Sequence, residues 1–320
     1  MTGQRAKGRG QRANRVLLVV AILFALGAGA AQGQGPETAK PAEIKGRAPV
    51  STEILKITLP RPTETDLSNG AHLMVLEDHR VPTVSFQMLI PGAGGYYDPA
   101  DLPGLADTTA SLMDEGTKTK TSEEIAQQLD TMSASVAVAA SEGSQIARVT
   151  GSCLSDQLDA VLGLAADILM NPSFPDAEIS RYKARTLAAL QQQRTDPEFL
   201  ARERYQKAVY GSHPASSVGV TMESLKRITR DSLVGFHRVT YVPDHAIIAV
   251  SGDVTLAEAR TKFGAALKEW ARAEKPRPGV TDTPDHGATK VSLVNRPSAV
   301  QTNLVVGEQA ISRMLSLIHI

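Results

Sequence analysis

The sequence predicts an α+β fold in which one sheet carries helices packed on a single face. Three observations predict it. Period-two alternation typical of half-buried strands gathers before residue 91 and again between residues 134 and 153. Apolar residues three and four apart dominate most of the chain between 105 and 239, and one buried-strand run, His245 to Val250, returns before a last helical stretch. Strands, then helices, then a strand is the order of a sheet with helices segregated to one side.

The elements follow in chain order. Leu67-Ser68-Asn69-Gly70 supplies an Asn-Gly turn between two strand-like runs, the second being Ala71 to Leu76. A third alternating run covers Thr83 to Leu89, and these strands are expected to build one edge of the sheet. After a Pro-Gly rich loop at 91–104 the period turns helical, with Leu105, Leu112 and Met113 on one face. Thr121-Ser-Glu-Glu124 is a capping box that starts a second helix and turns Ile125 and Leu129 inward. Ala134 to Ala140 and Gln145 to Cys153 alternate and predict a hairpin. Leu154, Leu158, Val161, Leu162, Ala165, Ile168 and Leu169 then form a helical stripe that Asn171-Pro172 stops. Ile179, Tyr182, Leu187 and Leu190 mark another helix. Further helices are expected over Phe199 to Val209, around Met222 to Ile228, and over Asp231 to Val239. The strand at 245–250 ends at Gly252, and Leu256 to Trp270 is the last helix.

The ends of the chain read differently. Arg5, Lys7, Arg9, Arg12 and Arg15 precede the apolar run Val16 to Leu26, and Ala28-Gly29-Ala30 follows: the three-part pattern of a secretory signal peptide over 1–30. The apolar core falls short of the roughly 20 residues that span a bilayer, so export to the periplasm is expected rather than anchorage, with no membrane contact beyond the signal peptide. Residues 31–55 read as a flexible tether, 56–272 as a complete domain, and 273–289, rich in Pro, Asp, Thr and Lys, as a linker. Lys290 to Val294 and Gln301 to Val306 look like opening strands of a second, truncated domain over 290–320.

Composition excludes some functions. The 34 basic and 34 acidic side chains balance, and only 4% of residues are aromatic, so neither a phosphate-binding face nor a base-stacking platform is expected and no nucleic-acid partner is predicted. Cys153 is the sole cysteine, which rules out an intramolecular disulfide and, within an alternating run, reads as a half-buried strand residue. Gly92-Ala-Gly-Gly95 lacks the Lys-Ser/Thr pair of a phosphate loop and reads as a close-packed turn. Of the histidines, His72, His79, His213, His237, His245, His286 and His319, no two have a helix-compatible metal spacing. His237 reads as a surface position, and Asp114-Glu115 as a solvated turn.

The run "LSNGAHLMVLEDHRVPTVSFQMLIPGAGGYYDPADLPGLAD", the "RTDPEFLA" at 194–201, the "HP" at 213–214 followed by Gly219, and "YVPDHAIIAVSGDV" at 241–254 together resemble the insulinase/pitrilysin family of zinc peptidases, which includes mitochondrial processing peptidase. The resemblance spans about residues 58–310 and implies an insulinase-like sheet with helices on one face. It also implies a zinc helix after the "GLA" turn, where active members carry His-x-x-Glu-His. Histidines four apart share one helical face and grip the metal, and the glutamate deprotonates the attacking water. Laid over this chain, the first histidine position is Asp107, the glutamate Ala110 and the second histidine Ser111. The distal ligand falls on Ala188, beside Ala189. Neither alanine can ligate a metal or move a proton, so these positions are read as degenerate, with no catalytic residue, no bound metal and no cofactor.

The resemblance then implies a non-catalytic homologue that pairs with a zinc-bearing partner subunit of the same family and closes a chamber around a peptide or unfolded protein. Two alternatives stand beside it: a zinc metalloendopeptidase acting on peptides, and an assembly or binding protein with no peptidase role.

Overall fold

Alternation along one strand decides which side of the sheet is buried. In the computed structural model, which describes residues 60–273, 279–284, 288–297 and 300–309, β3 is Thr83–Pro91. It buries Val84, Phe86, Met88 and Ile90 and turns Ser85, Gln87 and Leu89 the other way. The expected signal peptide and tether, His286 and His319 lie outside the described residues.

The remaining strands are β1 (Thr63–Asp66), β2 (His72–Glu77), β4 (Ser135–Ala140), β5 (Ile146–Leu154) and β6 (Ile247–Gly252). They join β3 in one six-stranded sheet of order β1-β2-β6-β3-β5-β4. Every pairing is antiparallel except β2 with β6. The Asn-Gly turn and the β4–β5 hairpin form as expected. The three N-terminal strands do not sit together at an edge, however. β6 enters between β2 and β3, which makes β3 an interior strand. A pairing between segments so far apart in sequence has no local turn to announce it.

Register carries the core across the sheet. Val84 faces Cys153, Met88 faces Val149, and Phe86 faces Gly151, where a Cβ would come within 2.2 Å of the Phe86 ring. The ring therefore lies over the glycine and reaches the helical layer, meeting Phe263 edge-on with centroids 5.6 Å apart. On the opposite face Ser85, Arg148, Thr150, Ser152, Ala249 and Ser251 are exposed. One apolar and one polar face is what an antiparallel sheet covered on one side requires.

The helices are α1 (Leu105–Ala110), α2 (Ser122–Thr131), α3 (Leu158–Met170), α4 (Asp176–Gln193), α5 (Pro197–Tyr210), α6 (Met222–Arg227), α7 (Arg230–Thr240) and α8 (Leu256–Ala266). α3 packs on β5 and α8, α8 on β1 and β2, and α1 on β4 and α7. The capping box at Thr121 is complete, with the Glu124 amide and carboxylate both engaged.

Several boundaries differ from the periodicity. The first helix stops at Ala110, and Leu112 and Met113 are buried from the turn that follows. Leu154 belongs to β5 and is 43% exposed; α3 starts only after a short 3-10 turn at Ser155–Gln157. α8 ends at Ala266, while Trp270 is buried beyond it with its indole N–H donating to the Tyr241 carbonyl. Residues 290–294 and 301–306 pair with no strand among the described residues, and Val291, Leu293, Leu304 and Val306 are exposed. Alternation supplies a strand pattern, but a strand forms only where a partner edge meets it.

Candidate functional site

The start of α1 is fixed by a carboxylate and a glycine. Asp98 accepts the backbone N–H groups of Gly104 and Ala106, each at 2.7 Å, which satisfies donors that the first turn of a helix leaves free. Gly104 holds φ at +85°, and a Cβ there would lie 2.5 Å from the Val220 backbone. Only glycine permits both the left-handed conformation and that approach. The loop at 218–220 is thereby pressed against the helix that presents Asp107.

Asp107 lines a cavity of about 380 Å³ between α1, α4, the β4–β5 turn and this loop. From α4 the Tyr182 hydroxyl donates to Asp107 Oδ2 at 3.2 Å. Thr108, Ser111 and Thr186 lie beside the Tyr182 hydroxyl. Glu142 enters from the β4–β5 turn, and the Arg185 guanidinium sits over the Tyr182 ring, 5.7 Å from its centroid. Leu190, Val218 and Val220 supply an apolar wall.

Electrostatics in the cavity follow from burial. Burial raises the Asp107 pKa, the Glu142 charge raises it further, and the Tyr182 hydrogen bond opposes both. Burial and then the Asp107 charge raise the Tyr182 phenol. Asp98 is pushed up to about 7, first by burial, with its two backbone bonds pulling the other way. Tyr241 is 4% exposed, its hydroxyl has no partner among the described residues, and its pKa is raised by burial and by the Asp107 charge.

The positions singled out in the sequence scatter. Asp107 reaches the cavity, whereas Ala110 is 1% exposed and packs in the core. Ser111 is the C-cap of α1, its N–H donating to the Asp107 carbonyl at 2.9 Å. Ala188 is exposed on α4, and its neighbour Ala189 lines the cavity. Glu142, Arg185 and the orphaned Tyr241 hydroxyl were not anticipated. A carboxylate in a Ser-Glu-Gly-Ser hairpin turn carries no sequence signal that it faces a helix.

Two readings of single residues need correction. Asp114 is half-buried with its carboxyl raised by burial, and Glu115 accepts the Ser122 hydroxyl at 2.8 Å, so the pair is not a solvated turn. His237 is not a surface residue: its Nε2 meets the Leu169 carbonyl at 2.8 Å, its ring stacks on Tyr241 at 5.1 Å, and burial lowers its pKa. Gly94 is close-packed, since a Cβ there would fall 2.1 Å from the Ser144 carbonyl oxygen.

Zinc is held by three or four imidazole, thiolate or carboxylate donors. No histidine or cysteine lines the cavity, and among the described residues no three His, Cys, Asp or Glu side chains gather in a metal-holding group. The donor set around Asp107 does not fit a zinc ion. What it offers is a pair of carboxylates, a phenol and an apolar wall.

Residues 73–219 match the family described as Insulinase (peptidase family M16), and residues 227–313 match its companion, the peptidase M16 inactive domain. A protein of Mycobacterium leprae named as an uncharacterized zinc protease is 27% identical over 241 residues, covering 71% of this chain and 53% of its own. The non-peptidase homolog YmxG of Helicobacter pylori is 24% identical over 216 residues, covering 67% and 49%. The crystal structure of a peptidase M16 inactive domain from Pseudomonas fluorescens superposes with a TM-score of 0.64 at 24% identity, over 70% of this chain and 55% of that one, and supports the fold. The chain thus spans about half the length of the curated relatives it matches. With the two matched stretches in chain order and the sheet of that fold in place, the chain belongs to the insulinase family, peptidase family M16.

Proposed function

We propose that this chain is a non-catalytic insulinase-family subunit, exported to the periplasm, that pairs with a zinc-bearing relative and supplies one wall of a peptide-holding chamber. The observation that carries the reading is the donor set at α1. Of the motif positions only Asp107 carries a carboxylate there, bonded to a phenol, and the position a general base would need is Ala110, buried in the core. Loss of a general base alone removes about 10²- to 10⁴-fold of rate. A wall needs no metal: β4 is one of the two outer strands of the sheet, and its unpaired edge can take an extended peptide as an added strand. One relative bears the name of a non-peptidase homolog, which agrees with this reading. Other relatives are named zinc proteases, and the test separates the two.

The test is a pull-down of the tagged, full-length protein from its native envelope extract, followed by metal analysis and a chelator-sensitive peptide hydrolysis assay. The expected result is substoichiometric zinc in the purified chain and hydrolysis only with a co-purifying relative that carries His-x-x-Glu-His. One zinc per chain with hydrolysis by the chain alone would overturn the proposal. Silence with no related partner would transfer the weight to an assembly or binding role.

A further inference from the structure

We propose that residues 279–284 form a strap, with Thr281 as its latch, that ties the loop 211–220 to the β4–β5 turn. The latch lies within one chain and so goes beyond the pairing reading without depending on it.

The grip on Thr281 is the first observation. Composition marks 273–289 as a linker, yet this one residue is held by its amide, its hydroxyl and its carbonyl together. The Thr281 N–H donates to the Tyr96 hydroxyl at 2.8 Å, and Thr281 Oγ1 shares a second hydrogen bond with that hydroxyl at 2.9 Å. The Thr281 carbonyl lies 3.2 Å from Nε2 of His213. The roles on the imidazole are fixed from its other side. The Ala215 N–H can only donate, and it meets Nδ1 at 3.1 Å, so in the neutral ring the proton sits on Nε2 and faces the Thr281 carbonyl. Thr281 and Val280 are both exposed, so hydrogen bonds rather than apolar burial hold the strap.

The two arms of the grip come from different places. Tyr96 belongs to the short 3-10 turn Gly95–Tyr97, and His213 leads into a second one, Pro214–Ser216. Their rings meet edge to face with centroids 5.5 Å apart. The Tyr96 arm is anchored: its side chain is buried, and the N–H groups of Gly95 and Tyr96 donate to the carbonyls of Ser141 and Ser144 in the β4–β5 turn. The His213 arm is not. Of residues 211–220 only Gly219 is buried. Among the described residues, the other hydrogen bonds of 212–220 stay within the loop or return to Tyr210. A segment with little buried surface and few outward bonds belongs to the least stable part of a fold, and one outside anchor then governs how often it opens.

The loop matters because of what it carries. Val218, Gly219 and Val220 line the Asp107 cavity beside Glu142, and Ala215 lies against Gly143 of the β4–β5 turn. A pull on the chain at 279–284 therefore reaches one wall of that cavity through His213, while Tyr96 keeps the opposite arm in place.

Hydrogen exchange read by mass spectrometry on the full chain would compare the wild type with two variants. Tyr96→Phe removes the hydroxyl and keeps the ring; Thr281→Pro removes the N–H and the Thr hydroxyl from an exposed position. In each, exchange across 211–220 should rise about fivefold, the factor that one net hydrogen bond of ordinary strength represents, while α3 and β5 keep their wild-type protection. The double variant should exchange no faster than either single one, because both open the same latch. A rise confined to 279–284 would make Thr281 a passenger and overturn the proposal, as would unchanged exchange over 211–220 or additive effects in the double variant. If Tyr96→Phe also loosens α3, its loss of packing is to blame, and Thr281→Pro alone decides.

Discussion

Raising the pH from 5 to 8 should destabilise this protein, and Asp98 is the main reason. Its carboxyl has a pKa of 3.8 in the unfolded chain and about 7 in the fold, where burial outweighs the two bonds from Gly104 and Ala106. Below the unfolded value both states hold the proton. Between the two values only the folded state holds it, so stability is present in full at low pH and is lost as pH rises through about 7. At about 1.4 kcal/mol per unit, rounded off near the folded pKa, the loss between pH 5 and 8 is about 2 to 3 kcal/mol. That corresponds to a fall in Tm of roughly 5–10 °C for a domain of this size. The raised carboxyls of Asp107 and Asp114 act in the same direction, as do the raised His72 and His79. The lowered His237 acts in the opposite direction, its stability being present above the unfolded 6.5 and lost as pH falls. Carboxylates held low, such as Asp253 and Glu203, finish titrating below this window. Thermal melts followed by far-ultraviolet circular dichroism at each pH would measure the slope, and Asp98→Asn should flatten it. A wild-type Tm that stays level from pH 5 to 8, or a variant that keeps the full slope, would refute the reasoning.

Gly252→Ala should cost more than about 3 kcal/mol, since the residue holds φ at +130° and a Cβ would lie 2.0 Å from the Thr83 carbonyl oxygen; urea denaturation reads the loss. Thr121→Ala, which removes one half of an exposed capping box, should cost only about 1 kcal/mol in the same assay. Trp270→Phe should cost about 1 to 3 kcal/mol by leaving the buried Tyr241 carbonyl unpaired, and wild-type emission from this sole tryptophan should shift red only on unfolding. Cys153 is 4% exposed with its thiol pushed up to about 11, so a disulfide reagent at pH 8 should label it in urea and not in the native protein.

The sheet was legible wherever a signal is local. Asn69-Gly70 fixes the β1–β2 turn, and Thr121 with Glu124 starts α2, because both act through neighbours in sequence. The insertion of β6 between β2 and β3 was not, since its register is decided by Ile248 and Val250 meeting a distant surface. At the site the motif positions were legible as positions only. Whether Asp107 is alone depends on which side chains share its cavity, and Glu142 and Tyr182 arrive there through the hairpin and α4, each carrying an otherwise ordinary surface or core pattern. His237 misled for the same reason: an imidazole beside Phe236 on an amphipathic helix reads as surface until the end of α3 is seen to offer a carbonyl.

The packing of α1 and the lining of the cavity fall on different residues. The residues that hold α1 in place, Asp98, Gly104 and the buried Ala106, Thr109 and Ala110, do not themselves line the cavity. Thr108 and Thr109 bond back to the carbonyls of Gly104 and Leu105 at 2.8 and 2.7 Å, so the turn is satisfied internally. A substitution at Asp107 or Ala189 therefore alters what the cavity can hold with little effect on packing. Ala110 is different: placing a carboxylate there would bury a charge among apolar neighbours, at a cost of several kcal/mol unless it found a partner. A catalytic glutamate at that position would have to be accompanied by repacking around α1, so metal ligands placed at Asp107, Ser111 and Ala188 alone would leave a bound metal without the base that activates its water.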